Sequence, residues 1–561
     1  MLITLDSAII FTILWAAAFI SVKYFQKLKP HKIYDGIEAL LIAIIGTAII
    51  AWILNGIIFN EKLRLLFIIL SYIIILMGFN FFRARQVKTQ DDMIVAGRSL
   101  SVKVMVFTLI CSWIGSGTFI AGAEFAARAG WSALWLPAGA WIGIIVIYFL
   151  AAKIRTFGKY TIGDILEVRY GRFARLFGAI ALIISFTAIV SYQFKAGGYI
   201  LNVISNGDIS VETGQFLAAM FVIIFTATAG MIAVAYTDLP NGIIILLACL
   251  IATPIVVYNA GGAAALQNLP VDHLKAINPQ FGEFPILKAV SYFLATLLLL
   301  MGVQSMYQKF YSAKTPKDAR TAVSLWVIGT IFVETVVVVI AVFAATKYWD
   351  QIQAFVSGDK INGIDPASIV IQAARGMMPP YIGVLLIGAA CAVVISTGMN
   401  YLLSPTTNIM RDIYQQFINP NADQKTMVAL QKIMIVAIGV LAFILCTKLT
   451  SVLEMSYFAY TIYGVAITPA LIAALSWKRA TKTGGLASII GGSIVALGLY
   501  IAGFVWPSIM IPYGDPNGDP FGIPLIYPAF IVSLAALVIG SYLTKPPKAE
   551  EIKELFPDKI S

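Results

Sequence analysis

Apolar runs long enough to cross a bilayer recur from one end of this chain to the other, separated by short polar segments. Roughly fifteen such runs can be drawn on the length criterion, with extents near 7–22, 37–58, 65–82, 104–127, 132–152, 176–202, 214–234, 242–259, 286–306, 322–346, 380–404, 428–447, 453–476, 484–505 and 525–543. Runs of this length with few internal charges predict membrane helices, because lipid leaves the backbone no other partner than itself. The expected fold is therefore an all-α integral membrane protein.

Two spans depart from plain hydrophobicity. The one from Val104 to Ala127 is interrupted by Gly115-Ser116-Gly117, and the one from Ile382 to Leu403 carries the hydroxyl pair Ser396-Thr397 at its middle. Glycines loosen a helix, and a loosened helix at bilayer depth presents carbonyl oxygens that lipid cannot satisfy. A small hard cation satisfies them, and hydroxyls from a second helix would complete a shell of neutral oxygens. The bland alternative is that Ser396 and Thr397 only bond back to carbonyls one turn earlier on their own helix.

Charge fixes the expected orientation. The first span lacks a basic segment ahead of it and is followed by Lys23 and Lys27, so it is read as an uncleaved span with the N-terminus outside. Most of the 39 Lys and Arg residues then fall in alternate loops, near 23–32, 83–103, 153–175, 309–320, 411–432 and 478–482, and in the tail from Lys545, which places the C-terminus in the cytoplasm. The net charge of +11 is accounted for by this cytoplasmic excess and implies no nucleic-acid partner. With 60% hydrophobic and 12% charged residues, a soluble domain is excluded. Cys111, Cys249, Cys391 and Cys446 all lie within spans, without metal-ligand spacing, and His31 and His273 lie in loops. No nucleophile–base constellation appears, so no enzyme is expected.

From residue 65 the chain carries a series of motifs in order: RQVKTQDDMIVAGRSL (85–100), YTIGDILEVRYG (160–171), AGMIAVAYTDLPNG (229–242), QSMYQKFYSAKTPKDAR (304–320), ISTGMNYLLSPTTNIMRDIY (395–414) and MSYFAYTIYGVAITPALIAALSWKRAT (455–481). This series resembles the sodium/solute symporter family, which includes sodium-coupled sugar, proline, pantothenate and monocarboxylate carriers. The resemblance implies a leucine-transporter-like core of two inverted five-helix repeats, 104–259 and 286–476. Residues 65–103 would form a leading helix and cytoplasmic loop, and 477–561 two C-terminal helices and a cytoplasmic tail. Residues 1–64 would be two extra transmembrane helices, read as a scaffold addition, with a partner-binding role as the second reading.

The resemblance also implies one sodium ion, held by the carbonyls of Cys111, Ile114 and Val393 and the hydroxyls of Ser396 and Thr397. A second sodium is not expected, because Met399 and Asn400 stand where some members have further hydroxyls. Asp238, in a YTDLPN turn, matches a family aspartate near the ion's exit route, although Asn241 replaces the usual glutamine; its other reading is a helix N-cap. The solute would lie beside the helix break, among Trp113, Gly115, Thr118, Phe119, Gln193, Lys195, Gln304, Ser305, Tyr457 and Tyr460. Trp113 is bulky where sugar carriers have a polar residue, and Thr118 lacks the amide that they show, which disfavours sugar. Lys195 has three readings: it snorkels to the interface, pairs with Glu124 or Glu334, or meets an anionic solute. On Lys195 alone the choice tips toward a small organic anion. The expected function is sodium-coupled import by alternating access in a multi-pass cell-membrane protein, most naturally of a bacterial inner membrane. A proton-coupled or uncoupled carrier on the same fold, or a non-transporting membrane sensor, stands as the alternative.

Overall fold

The structure is a computed structural model that describes residues 89–281, 284–359, 362–448, 451–505 and 523–556, with residues 46, 49, 71, 72, 74 and 75 before them. The first two spans, most of the third, and the reading of residues 1–64 as added helices thus lie outside the described residues. Among the described residues the regular structure is helical, and eleven helices are long and apolar enough to cross a membrane. Their outward faces carry large apolar side chains such as Phe149, Ile328, Leu441 and Ile531, as a lipid-facing surface requires. The four cysteines are buried and unbridged.

Helix α1 (Val102–Trp113) stops after 12 residues, too short to cross a bilayer that needs about 20. The chain leaves the helix at Ile114 (φ −71°, ψ 107°), resumes in a widened turn over Gly117–Gly122 and continues as α2 (Ala123–Ala129). Gly130 (φ +65°) ends this segment; a Cβ there would sit 2.0 Å from the His273 carbonyl oxygen, so only glycine fits. Then follow α3 (Trp135–Phe157), α4 (Ile162–Tyr170), whose start is fixed by a reciprocal Thr161–Asp164 cap, and α5 (Arg172–Ile204).

Helix α6 (Val211–Ala260) corrects one expectation. The turn expected at YTDLPN is absent: the chain breaks earlier, at Gly230 (φ 62°, ψ −176°), and Asp238 and Pro240 lie inside the helix that follows. Glycine adopts this conformation at no steric cost, and Met93 packs so close to Gly230 that a Cβ would meet it at 2.7 Å. Asp238 is therefore not an N-cap. A polar YTDLPN segment stays helical because, as described below, its carboxylate finds partners on neighbouring helices.

The second half opens as the first did. Helix α7 (Pro285–Gly302) breaks at Val303 (φ −66°, ψ 116°), nearly the conformation of Ile114, and α8 (Gln304–Ser312) continues. Helices α9 (Pro316–Val356), α10 (Ile369–Gly376), α11 (Pro380–Asn408, extended through a widened helical segment to Ile418), α12 (Gln424–Lys448), α13 (Val452–Ser476), α14 (Lys482–Val505) and α15 (Ile526–Leu543) complete the described chain. The core forms where α11 packs on α5 and α6, α13 on α5 and α7, and α3 on α7 and α9. Small residues allow the tightest of these approaches: a Cβ on Gly139 of α3 would fall 1.9 Å from the Phe293 carbonyl of α7, and Gly143 one turn on faces Leu297 and Leu300. Lys309, read from sequence as the start of a cytoplasmic loop, is instead fully buried on α8.

Candidate ion and solute site

A broken helix frees the carbonyls of its last turn. At the end of α1 those carbonyls face the middle of α11, where the Thr397 hydroxyl donates to Cys111 O at 2.7 Å and to Ile114 O at 3.0 Å. Gly115 lies directly against this contact, since a Cβ there would come within 2.7–2.9 Å of the Thr397 side chain. Val393 is buried one turn before Thr397 on the same helix. The Ser396 hydroxyl donates to the Asp238 carboxylate on α6. Both hydroxyls of the pair thus reach other helices, and the back-bonding alternative does not describe them. For Gly115→Ala we expect the added methyl to push the break off Thr397 and to blunt any sodium-specific rise in melting temperature, read against potassium at equal ionic strength.

Asp238 is the centre of a buried polar set that sequence only half disclosed. Besides Ser396 it accepts from the Thr108 hydroxyl of α1 and, at 3.3 Å, from the Asn400 amide. Asn400 in turn accepts from the Lys309 ammonium at 2.7 Å, and Lys309 also reaches Ser305 O at 3.4 Å. Asn241, shorter than the glutamine expected, accepts from the Tyr72 hydroxyl at 2.8 Å. Thr108 and Lys309 were missed because nothing in the linear pattern distinguishes a span threonine that bonds across, and because Lys309 follows a run that looked finished at residue 306.

On the other side of the break lies a small cavity, lined by Trp113, Gly117, Thr118, Leu136, Glu334 and Tyr460 among others. The Glu334 carboxylate of α9 accepts from the Trp113 indole at 2.8 Å and the Trp141 indole at 2.7 Å. Trp113 stacks on Tyr460 (ring centroids 6.5 Å apart, 28° between planes), and the Tyr460 and Tyr192 hydroxyls are 3.1 Å apart. Trp113, Thr118 and Tyr460 are therefore the expected solute residues that share this cavity.

The other expected solute residues sit elsewhere. Gly115 faces Thr397, and Phe119 is wholly buried. Gln193 props the break itself, its amide oxygen accepting the Ser116 N–H at 3.1 Å. Lys195 does not line the cavity; its acidic neighbours are Asp365, Glu124 and Glu454, and Glu334 is not its partner. Tyr457 packs on Tyr292 (centroids 5.0 Å) beneath the Lys288 ammonium (5.5 Å). Ser305 lies by Lys309. Gln304 belongs to a cluster at the end read as cytoplasmic: it exchanges hydrogen bonds with Asn408 at 2.7 and 3.0 Å, and Asn408 donates to Asp412 at 2.6 Å. Asp412 also takes the Thr161 hydroxyl at 2.8 Å and the Arg175 guanidinium at 2.6 Å, and Arg175 is further paired with Asp164 (2.9 Å) and Glu167. This cluster ties α4, α5, α8 and the extended end of α11 together.

The known proteins to which the chain is similar include transporters. The chain is 26% identical over 498 residues to the high-affinity proline transporter PutP of Bacillus subtilis, covering 85% of this chain and 98% of that protein. It is 25% identical to the sodium/proline symporter of Escherichia coli (85% and 93% covered) and 24% identical to the human high affinity choline transporter 1 (82% of each). Among solved structures, an outward-open, substrate-bound Na+-coupled sialic acid symporter superimposes with a TM-score of 0.70 at 15% identity, covering 87% of this chain and 99% of that one. That likeness gives the fold, a leucine-transporter-like helical core. The family model of the sodium:solute symporters matches residues 93–492, a stretch that takes in both broken helices, the Ser396-Thr397 pair and Asp238, and the chain belongs to the sodium:solute symporter family.

Proposed function

We propose that this membrane transporter couples the entry of one sodium ion to the import of a small organic solute by alternating access. The observation that carries the ion site is the double reach of Thr397 to Cys111 O and Ile114 O. A hydroxyl that donates to two carbonyls marks a place where oxygens from α1 and α11 already converge. A sodium ion entering there would take the carbonyls of Cys111, Ile114 and Val393 and the oxygens of Ser396 and Thr397, a neutral set suited to a monovalent ion. One ion fits better than two, because the ammonium of Lys309 already stands next to Asn400, within the same polar set as Asp238. Sodium held between α1 and α11 would favour the state in which solute binds, and linkage makes each ligand strengthen the other.

The test needs no knowledge of the solute. Purified full-length protein is expected to melt at a higher temperature in sodium chloride than in potassium chloride of equal ionic strength, in a saturable way, because ligands of the native state stabilise it. Identical melting in both salts would remove the ion site from this reading. Substituting potassium for external sodium at fixed pH separates sodium coupling from the proton-coupled alternative.

A further inference from the structure

The Glu334 carboxylate raises a question that the sodium site does not answer. It is buried, lies within a membrane span, and lines the cavity beside the helix break. An ionised carboxylate in such a place is costly unless it is paired and hydrogen-bonded. Two indole N–H groups hold its oxygens in place, one from α1 and one from α3, yet no Lys or Arg pairs with it among the described residues. The cavity wall next to it is aromatic, with Trp113 and Tyr460 stacked on each other in the lining.

A fixed carboxylate with aromatic rings beside it is chemistry that attracts a positively charged nitrogen: the carboxylate supplies a point charge and the ring faces a diffuse negative one. The same carboxylate repels a solute that carries only negative charge. Lys195, on which a preference for an organic anion rested, does not line the cavity and cannot reverse that field. We infer that Glu334 receives the cationic nitrogen of the solute, so that the transported class is small ammonium compounds, whether amino-acid zwitterions or quaternary amines. The inference rests on the reading of the chain as a solute carrier with its binding place beside the α1 break.

Matched pairs of probes test it on the wild-type protein in sodium chloride, by thermal stabilisation and by titration. L-proline is compared with cyclopentanecarboxylate, which keeps ring and carboxylate but lacks the nitrogen. Choline is compared with dimethylbutanol, its uncharged carbon isostere. The charged member of at least one pair is expected to bind tighter than its isostere by about tenfold or more, the usual worth of a charge-assisted hydrogen bond for the proline ammonium or of a desolvated cation–π contact for choline, which has no N–H to donate. Which pair responds distinguishes zwitterion from quaternary amine. Glu334→Gln is expected to erase that discrimination while the sodium-specific rise in melting temperature persists, and Glu334→Asp to restore part of it.

Equal binding of nitrogen-bearing and nitrogen-free probes, or a Gln variant that discriminates as well as wild type, overturns the assignment. The isostere comparison requires no variant, so a failure of Glu334→Gln to fold leaves the inference exposed to refutation. Discrimination that survives replacement of sodium by potassium would count against the coupling proposal and not against Glu334. A sodium response without discrimination would do the reverse.

Discussion

Replacing Thr397 by alanine is expected to abolish sodium-specific thermal stabilisation and to lower sodium-driven uptake by about tenfold to a hundredfold at limiting sodium, from the loss of one ligand in a buried polar site. The hydroxyl is the only part of that side chain that touches the broken end of α1 by hydrogen bond, donating to Cys111 O and Ile114 O. Alanine strands two buried carbonyls, and any ion bound there loses an oxygen. Thr397→Ser keeps the oxygen and is expected to keep the sodium response at reduced affinity. Because the cost of stranded carbonyls falls on stability in any salt, the decisive quantity is the difference between sodium and potassium. An alanine variant whose melting still rises with sodium as in the wild type would place the ion somewhere else.

The second large effect lies in the polar cluster at the end read as cytoplasmic. Arg175→Met is expected to destabilise the protein by about 3–5 kcal/mol, the cost of breaking a buried ion pair from one side. The guanidinium is almost wholly buried and is shared by Asp412 (2.6 Å), Asp164 (2.9 Å) and Glu167. Without it Asp164 and Asp412 face each other uncompensated, while Glu167, partly open to solvent, loses less. Adding Asp412→Asn to Arg175→Met should recover part of the loss, which a double-mutant comparison of melting temperatures would show. Arg175→Lys is expected to be intermediate, since an ammonium cannot serve several carboxylates with one planar fork. A melting temperature unchanged in Arg175→Met would mean the cluster contributes nothing to holding α4, α5 and α11 together.

How much of this was legible in the sequence depends on the kind of signal involved. Most spans of the described region from α3 onward fall on the apolar runs, although α6 carries on through the gap drawn after residue 234 and α9 extends beyond its run at both ends, because lipid imposes length and hydrophobicity on each helix but not its exact ends. The break in α1 was visible as Gly115-Ser116-Gly117, and the partner hydroxyls as a polar pair in an apolar run. The matching break at Val303 was not, since only the single Gly302 precedes it, and one glycine inside a long apolar run does not by itself mark a break. The turn expected at YTDLPN from local propensity is absent because, in the fold, Thr108 of α1 and Ser396 and Asn400 of α11 satisfy Asp238 from two neighbouring helices, and Gly230 takes the bend. Gln304 and Lys195 looked like solute ligands from their polarity alone, but only the packing of distant segments decides which side of a helix meets the cavity. Glu334 was in view merely as a partner for Lys195, and Trp141 was not singled out at all: the pair is separated by 193 positions.

The close seating of α3 on α7 has a mechanical corollary. With the Phe293 carbonyl seated in the notch left by Gly139, sliding or rolling of these helices on each other would drive backbone into backbone, so the two are expected to move as one stiff arm. Trp113 and Trp141, gripping one carboxylate on α9, bolt α1 to that arm as well. In the proposed alternating-access cycle, the motion is then expected where this arm meets the α5–α11 framework, with the joint bearing Thr397 as the latch released at each turnover.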